Sequence, residues 1–183
     1  FNKICIILRP GIVERSGEAS NLKVDISKFF DKIYTLEQGY VEGGDILRIN
    51  NHFIIGISGR TNETGAKNLS NIIEKNGGTS EIAITPENTL HFKSECSLLD
   101  EETILATDNL IKSDFFNKKY RIIKVPKGEE TGANCLRINE HLLIPKGYDR
   151  LLDLVSKDYK VRVLDVTEME KVDAGLSCLS LRW

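Results

Sequence analysis

Five side chains in this chain have the types and placement for catalysis: Cys178, His91, Glu42, Arg15 and Arg60. Cys178 stands in "EKVDAGLSCLSLRW", directly after "DAGLS", a turn-forming lead-in to an apolar stretch. A thiol there either packs as a small hydrophobe or serves as a nucleophile. Its position beside a loop is where sites concentrate. Cys5, Cys96 and Cys135 lack such a lead-in and are read as packing. His91, in "NTLHFKSEC", lies at a loop-to-strand junction, and Glu42 opens the Gly-Gly turn "EGGD". Arg9 and Arg15 in "RPGIVER", and Arg60 in "SGRTN", each follow a strand and precede a helix. These groups are scattered along the chain, so only a particular arrangement of elements can bring them to one end of the molecule.

An internal repeat supplies that arrangement. "GGDILRINNHFIIG" from Gly43 and "GANCLRINEHLLIP" from Gly132 share the LRIN core, each followed by a second apolar run. "CSLLDEETILA" from Cys96 fits with one extra residue, and "GLSCLSLRW" from Gly175 completes the set. Ile46, Cys96, Cys135 and Cys178 become equivalent, with a period of about 45 residues, the mark of a repeated supersecondary unit. Strands at 45–49 and 52–57 flank the hairpin signal Asn50-Asn51. Thr61 or Asn62 caps a helix with the stripe Leu69, Ile72 and Ile73, and Gly77-Gly78 stops it before the strand "SEIAIT". The unit is ββαβ. The third unit places strands at 134–139, 141–145 and 160–164 around a helix near 147–157; the second has a helix near 109–116 and a strand at 120–125. The start reads as the back half of a unit: strand "KICIIL", a helix over 18–30, strand "KIYTLE". The end reads as a lone first strand carrying Cys178.

Composition excludes several function classes. The 183 residues carry a net charge of −2, with 40% hydrophobic and 28% charged residues, so no basic face invites nucleic acid. No apolar run reaches the roughly 20 residues that span a membrane. Four cysteines without a CxxC pair, and three histidines away from metal-finger spacing, imply a reducing, cytoplasmic setting without structural metal. The expectation is one domain over 1–183, and the absence of a methionine at residue 1 points to a C-terminal fragment of a longer chain. A homodimer is allowed but not required.

The motifs "RPGIVER", "EGGDIL", "GISGRTNETGA", "LHFKSECS", "ANCLRIN" and "MEKVDAGLSCLSL" run in order along essentially the whole chain. Together they resemble the dimethylarginine dimethylaminohydrolases of the guanidine-modifying (pentein) superfamily. The resemblance implies an α/β fold, a five-bladed α/β propeller of ββαβ units, incomplete at the N-terminal end here. It also implies hydrolysis of methylated arginine to citrulline and a methylamine. It makes Cys178 the nucleophile, His91 the general acid/base and Glu42 the carboxylate that orients it. Arg15 and Arg60 become the pair holding the substrate α-carboxylate, and the backbone carbonyl of Val172 the acceptor for its α-amino group. Cys135 matches a non-catalytic family cysteine. The family carries further residues before this start, including an acidic segment that grips the guanidinium group.

That chemistry is coherent. A guanidinium carbon is resonance-stabilised, and a thiolate attacks it better than water does, splitting one displacement into two easier steps. A bound cationic substrate favours the anion beside it. No metal or organic cofactor is needed, and the partner is a small molecule. Two rivals remain at this stage. An arginine deiminase would place aspartate two residues after the catalytic histidine, where this chain has Lys93. A non-catalytic relative keeping the fold for binding is the other.

Overall fold

A computed structural model of the chain describes residues 3–180, apart from 16, 114, 117 and 118. The chain divides into two compact units, which meet in sequence between Phe92 and Lys93.

The first unit opens with β1 (Ile4–Ile7), α1 (Glu18–Ile26) and β2 (Lys32–Thr35). The two strands pair in parallel, Ile4 opposite Lys32, as the half-unit reading requires. Helix α1 ends at Ile26 rather than at residue 30, because Phe29 N–H turns back to the Ile26 carbonyl and the Ser27 hydroxyl to that of Val24. Next come β3 (Ile46–Ile49), β4 (His52–Ile57), α2 (Glu63–Lys75) and β5 (Thr79–Ile84). β3 and β4 form an antiparallel hairpin, and β4 runs parallel to β5. Asn50 takes the positive φ of 54° that the hairpin turn demands, a conformation asparagine tolerates well. Helix α2 is capped by Asn62, whose side-chain oxygen accepts from Gly65 N–H at 2.8 Å. Thr61, the other candidate cap, is fully buried and makes different contacts. Ala66, Leu69 and Ile73 on one face of α2 pack with Leu36, Val41, Phe53 and Ile55 into the core of this unit.

The second unit repeats the plan twice. β6 (Cys96–Leu98), β7 (Thr103–Ala106), α3 (Asp108–Lys112) and β8 (Arg121–Lys124) form one copy. β9 (Leu136–Ile138), β10 (His141–Pro145), α4 (Asp149–Val155) and β11 (Lys160–Leu164) form the other. Each three-stranded sheet has its middle strand antiparallel to the first and parallel to the last. The core gathers Leu99, Leu105, Val125, Leu142, Ile144, Leu151 and Val155. A short helix, α5 (Thr167–Glu170), follows. Among the described residues, no helix is long and apolar enough to cross a membrane.

The ββαβ repeat is as the sequence implies, with one correction. Ile46 and Cys96 open first strands and Cys135 immediately precedes one, but Cys178 lies in a 3-10 turn, Leu176–Leu179. Such turns also precede β3 and β6, at Gly43–Asp45 and Phe92–Ser94, and β9, at Glu130–Ala133. At the end of the chain the nucleophile candidate sits within the turn itself, because Ser177 N–H bonds a side chain instead of a neighbouring strand. Whether a strand follows is a question for residues 181–183, which lie outside the described residues.

Two glycines set the height of the loop before β3. Gly39 has φ of +73°, and Gly65 packs against it. A methyl group on Gly65 would sit 2.3 Å from the Tyr40 carbonyl oxygen, a backbone atom that cannot swing aside. Gly65→Ala is therefore expected to destabilise the protein by about 1–3 kcal/mol, the usual cost of overpacking. A thermal melt lowered by several degrees is the expected reading; an unchanged melt would show that the loop yields freely.

Candidate active site

The first unit builds a charged cluster around one buried carboxylate. Glu42, only 4% exposed, immediately precedes the Gly43–Asp45 turn. Its Oε2 lies 2.8 Å from His91 Nε2 and 3.3 Å from Arg15 Nη1, and its Oε1 lies 3.7 Å from Arg60 Nη1. An ionised carboxylate only accepts, so Nε2 carries the proton in that bond and Nδ1 is the ring nitrogen left for chemistry. The His91 ring rests against the turn. A methyl group on Gly44 would come within 2.5 Å of His91 Cγ, so glycine here makes room for the imidazole.

Asp45 locks this cluster together. It is completely buried. Its Oδ2 accepts from the hydroxyls of Ser58 at 2.7 Å and Thr61 at 2.6 Å, and its Oδ1 from Phe92 N–H at 2.8 Å. Thr61 Oγ1 in turn accepts from Glu42 N–H at 3.1 Å. One carboxylate thus fixes the residue after His91, the loop that carries Arg60 and, through Thr61, the backbone of Glu42. Arg15, 48% exposed in its side chain, also grips Glu18 with both Nε at 3.0 Å and Nη2 at 2.9 Å. Both nitrogens meet the same oxygen, Glu18 Oε2, so this contact engages one carboxylate oxygen and not two.

The second unit presents the thiol. Cys178 is exposed. Cys96 and Cys135 are buried, and burial pushes the Cys135 thiol up to about 12 and that of Cys96 higher still. Desolvation also raises half-buried Cys5. The thiols that pack are thereby held protonated at neutral pH, while Cys178 stands in solvent. Val172 lies in the turn after α5, its N–H bonded to the Met169 carbonyl and its side chain 72% exposed.

The chain as a whole is similar to known proteins. The arginine deiminase family model matches residues 23–143. The N(G),N(G)-dimethylarginine dimethylaminohydrolase of Pseudomonas aeruginosa is 35% identical over 185 aligned residues, covering 100% of this chain and 72% of the relative. The chain belongs to the dimethylarginine dimethylaminohydrolase family. The solved structure of the Pseudomonas enzyme, as a cysteine-to-serine variant complexed with citrulline, is similar with a TM-score of 0.93 and 35% identity, over 98% of this chain and 71% of that one. A histidine-to-glycine variant of a dimethylarginine dimethylaminohydrolase, as an adduct with S-methyl-L-thiocitrulline, gives 0.92 at 35% identity over the same shares. The fold class is the one expected from the sequence, α/β with the ββαβ repeats of the propeller class.

Of the six residues that the resemblance to dimethylarginine dimethylaminohydrolases singled out, the structure gathers Glu42, His91, Arg15 and Arg60 in the first unit and carries Val172 and Cys178 in the second. Arg9, also considered, turns to the Glu37 carbonyl instead, at 3.3 Å. Asp45 was legible only as an acid in "EGGD", where a solvated carboxylate is the ordinary expectation. Its burial depends on hydroxyls that arrive from the Ser58–Thr61 loop, which no local pattern announces.

Proposed function

We propose that this protein hydrolyses Nω-methylated arginine to citrulline and a methylamine, with Cys178 as nucleophile, His91 as general acid/base and Glu42 as its orienting partner. One observation carries the residue assignment. The histidine and the cysteine replaced in the two solved family structures are numbered as far apart as His91 and Cys178. Cys178 is exposed, whereas burial raises the pKa of the other three thiols, and this contrast supports the same choice.

The cysteine thiolate attacks the guanidinium carbon and forms a C–S bond. The bond from that carbon to the methylated nitrogen then breaks, and His91 hands its proton to the departing amine. What remains is a thiouronium linked to Cys178. Water attacks the same carbon, His91 takes a proton from it, the new C–O bond replaces C–S, and citrulline leaves with the thiol restored. The hydrogen bond from His91 Nε2 to Glu42 keeps the ring oriented through both transfers. Arg15 and Arg60 are assigned to the substrate α-carboxylate, and the Val172 carbonyl to its α-amino group. A reducing cytoplasmic setting belongs to the same proposal, since an oxidised thiol cannot attack.

Citrulline release from dimethylarginine and from arginine at equal concentration tests the substrate assignment. Release from dimethylarginine should dominate. Preference for arginine would move the protein to a deiminase reading, against the indication from Lys93; no release from either would remove the enzymatic reading.

A further inference from the structure

The motif "ANCLRIN" carries the repeat core and the buried Cys135, yet the residue before that cysteine, Asn134, faces the proposed nucleophile. Asn134 is 9% exposed. It sits at the centre of a tight turn, φ −79° and ψ 66°, closed by Cys135 N–H on the Ala133 carbonyl at 2.9 Å. The buried hydroxyl of Ser97 in β6 bolts this turn from both sides. It donates to the Ala133 carbonyl at 2.5 Å and accepts from Cys135 N–H at 2.9 Å. The backbone that carries Asn134 is therefore held by a neighbouring strand.

From that base the Asn134 side chain reaches the Cys178 turn. Its Oδ1 accepts from Ser177 N–H at 2.9 Å. That bond settles the orientation of the amide, because a backbone N–H must meet the oxygen. The NH2 group is left facing Cys178 Sγ, at 4.0 Å, the outer reach of an N–H···S contact. Gly175 closes the other side. A methyl group there would lie 2.4 Å from Asn134 Cγ and Nδ2. Gly175 has ordinary extended dihedrals, φ −102° and ψ −178°, so the glycine serves space and not conformation. Cys178 N–H bonds the Gly175 carbonyl at 3.0 Å, which completes a small closed loop around the amide.

We propose that Asn134 is the positioning residue of the nucleophile: its amide oxygen pins the turn, and its NH2 group offers the Cys178 sulfur a fixed donor when it becomes a thiolate. This rests on the reading of Cys178 as the nucleophile. A donor facing a charged acceptor gains about twice what it gains from a neutral one, so the contact tightens as charge develops. A donor fixed beforehand requires no reorganisation at that moment.

The test compares Asn134→Ala and Asn134→Asp in the full chain. Asparagine to aspartate keeps the shape and an acceptor for Ser177 N–H, but replaces the donor with an oxygen. Alkylation of Cys178 by iodoacetamide at a fixed neutral pH is followed on its own peptide by mass spectrometry, so the other thiols do not contribute. It is read beside citrulline kinetics and thermal melting. Both variants should alkylate about tenfold more slowly, the size expected for one hydrogen bond to a charged group. In both, kcat should fall by at least that factor with KM little changed, and Asn134→Asp should melt near the parent. Alkylation within twofold of the parent in Asn134→Asp, or a loss confined to KM, would overturn the proposal. Slower alkylation in the variants with no citrulline released even by the parent would uphold the role of Asn134 and remove the hydrolase reading.

Discussion

Replacing Cys178 by serine is expected to lower citrulline release by about 10³-fold or more while leaving the melting temperature within a few degrees of the parent. A hydroxyl is far less ionised than a thiol at neutral pH and a weaker nucleophile toward a resonance-stabilised carbon, so the covalent step fails. The fold has little at stake, because the Cys178 side chain is exposed and its N–H bond to the Gly175 carbonyl is a backbone contact. Cys135→Ser is the control. Its thiol donates to the Gly132 carbonyl at 3.0 Å inside the core, and a serine hydroxyl can make that bond in its place. Turnover should stay within a few-fold of the parent. If Cys135→Ser silenced the enzyme and Cys178→Ser did not, the assignment of the nucleophile would be wrong. Thermal melts and citrulline assays on both variants settle the matter.

The second large effect concerns Glu42 and His91 taken together. His91→Ala should reduce kcat by about 10²–10⁴-fold, the range of general acid–base catalysis. Glu42→Gln should also be severe. Its amide must turn either an NH2 group or a weaker carbonyl acceptor toward His91 Nε2–H and the Arg15 guanidinium, both of which now meet Oε2. The wrong choice expels the ring from its orientation, and a misdirected tautomer has cost about 10⁴-fold in a comparable serine-enzyme triad. The informative measurement is the double variant. If Glu42 acts through the histidine, Glu42→Gln costs almost nothing more once His91 is alanine, and the two effects are strongly non-additive. Equal losses in both backgrounds would place Glu42 in direct contact with substrate instead. Melting curves must accompany the kinetics, because Glu42 is 4% exposed with two guanidinium groups beside it.

Much of the architecture was readable from residues alone, and the reasons are local. Asn50-Asn51 between two apolar runs determines a hairpin, since few other residues accept the left-handed backbone of such a turn. The stripe Leu69, Ile72 and Ile73 between Asn62 and Gly77 determines a capped helix with one buried face, and Gly77 takes the positive φ of 85° that stops it. The shared LRIN core then marks the repeat. The candidate chemistry was legible too, because Cys178, His91, Glu42, Arg15 and Arg60 fall in or beside turn-forming stretches between the apolar runs, and the collinear motifs tied them to one family.

Tertiary structure decided what local pattern leaves open. Ser177 N–H chose the Asn134 amide over a strand partner, so the stretch around Cys178 became a 3-10 turn and not a strand. Asp45 became the buried hinge of the histidine–glutamate cluster because Ser58, Thr61 and Phe92 N–H, all distant in sequence, supply its hydrogen bonds. Thr61 went to that network and left Asn62 to cap α2. In each case one polar side chain had competing partners of similar strength. A buried polar group must find a partner or lose about 1–3 kcal/mol, so the winner is set by what the packed neighbours bring within about 3 Å. Periodicity and turn chemistry report on a residue and its near neighbours along the chain; they carry no record of which distant hydroxyl or amide the fold will deliver.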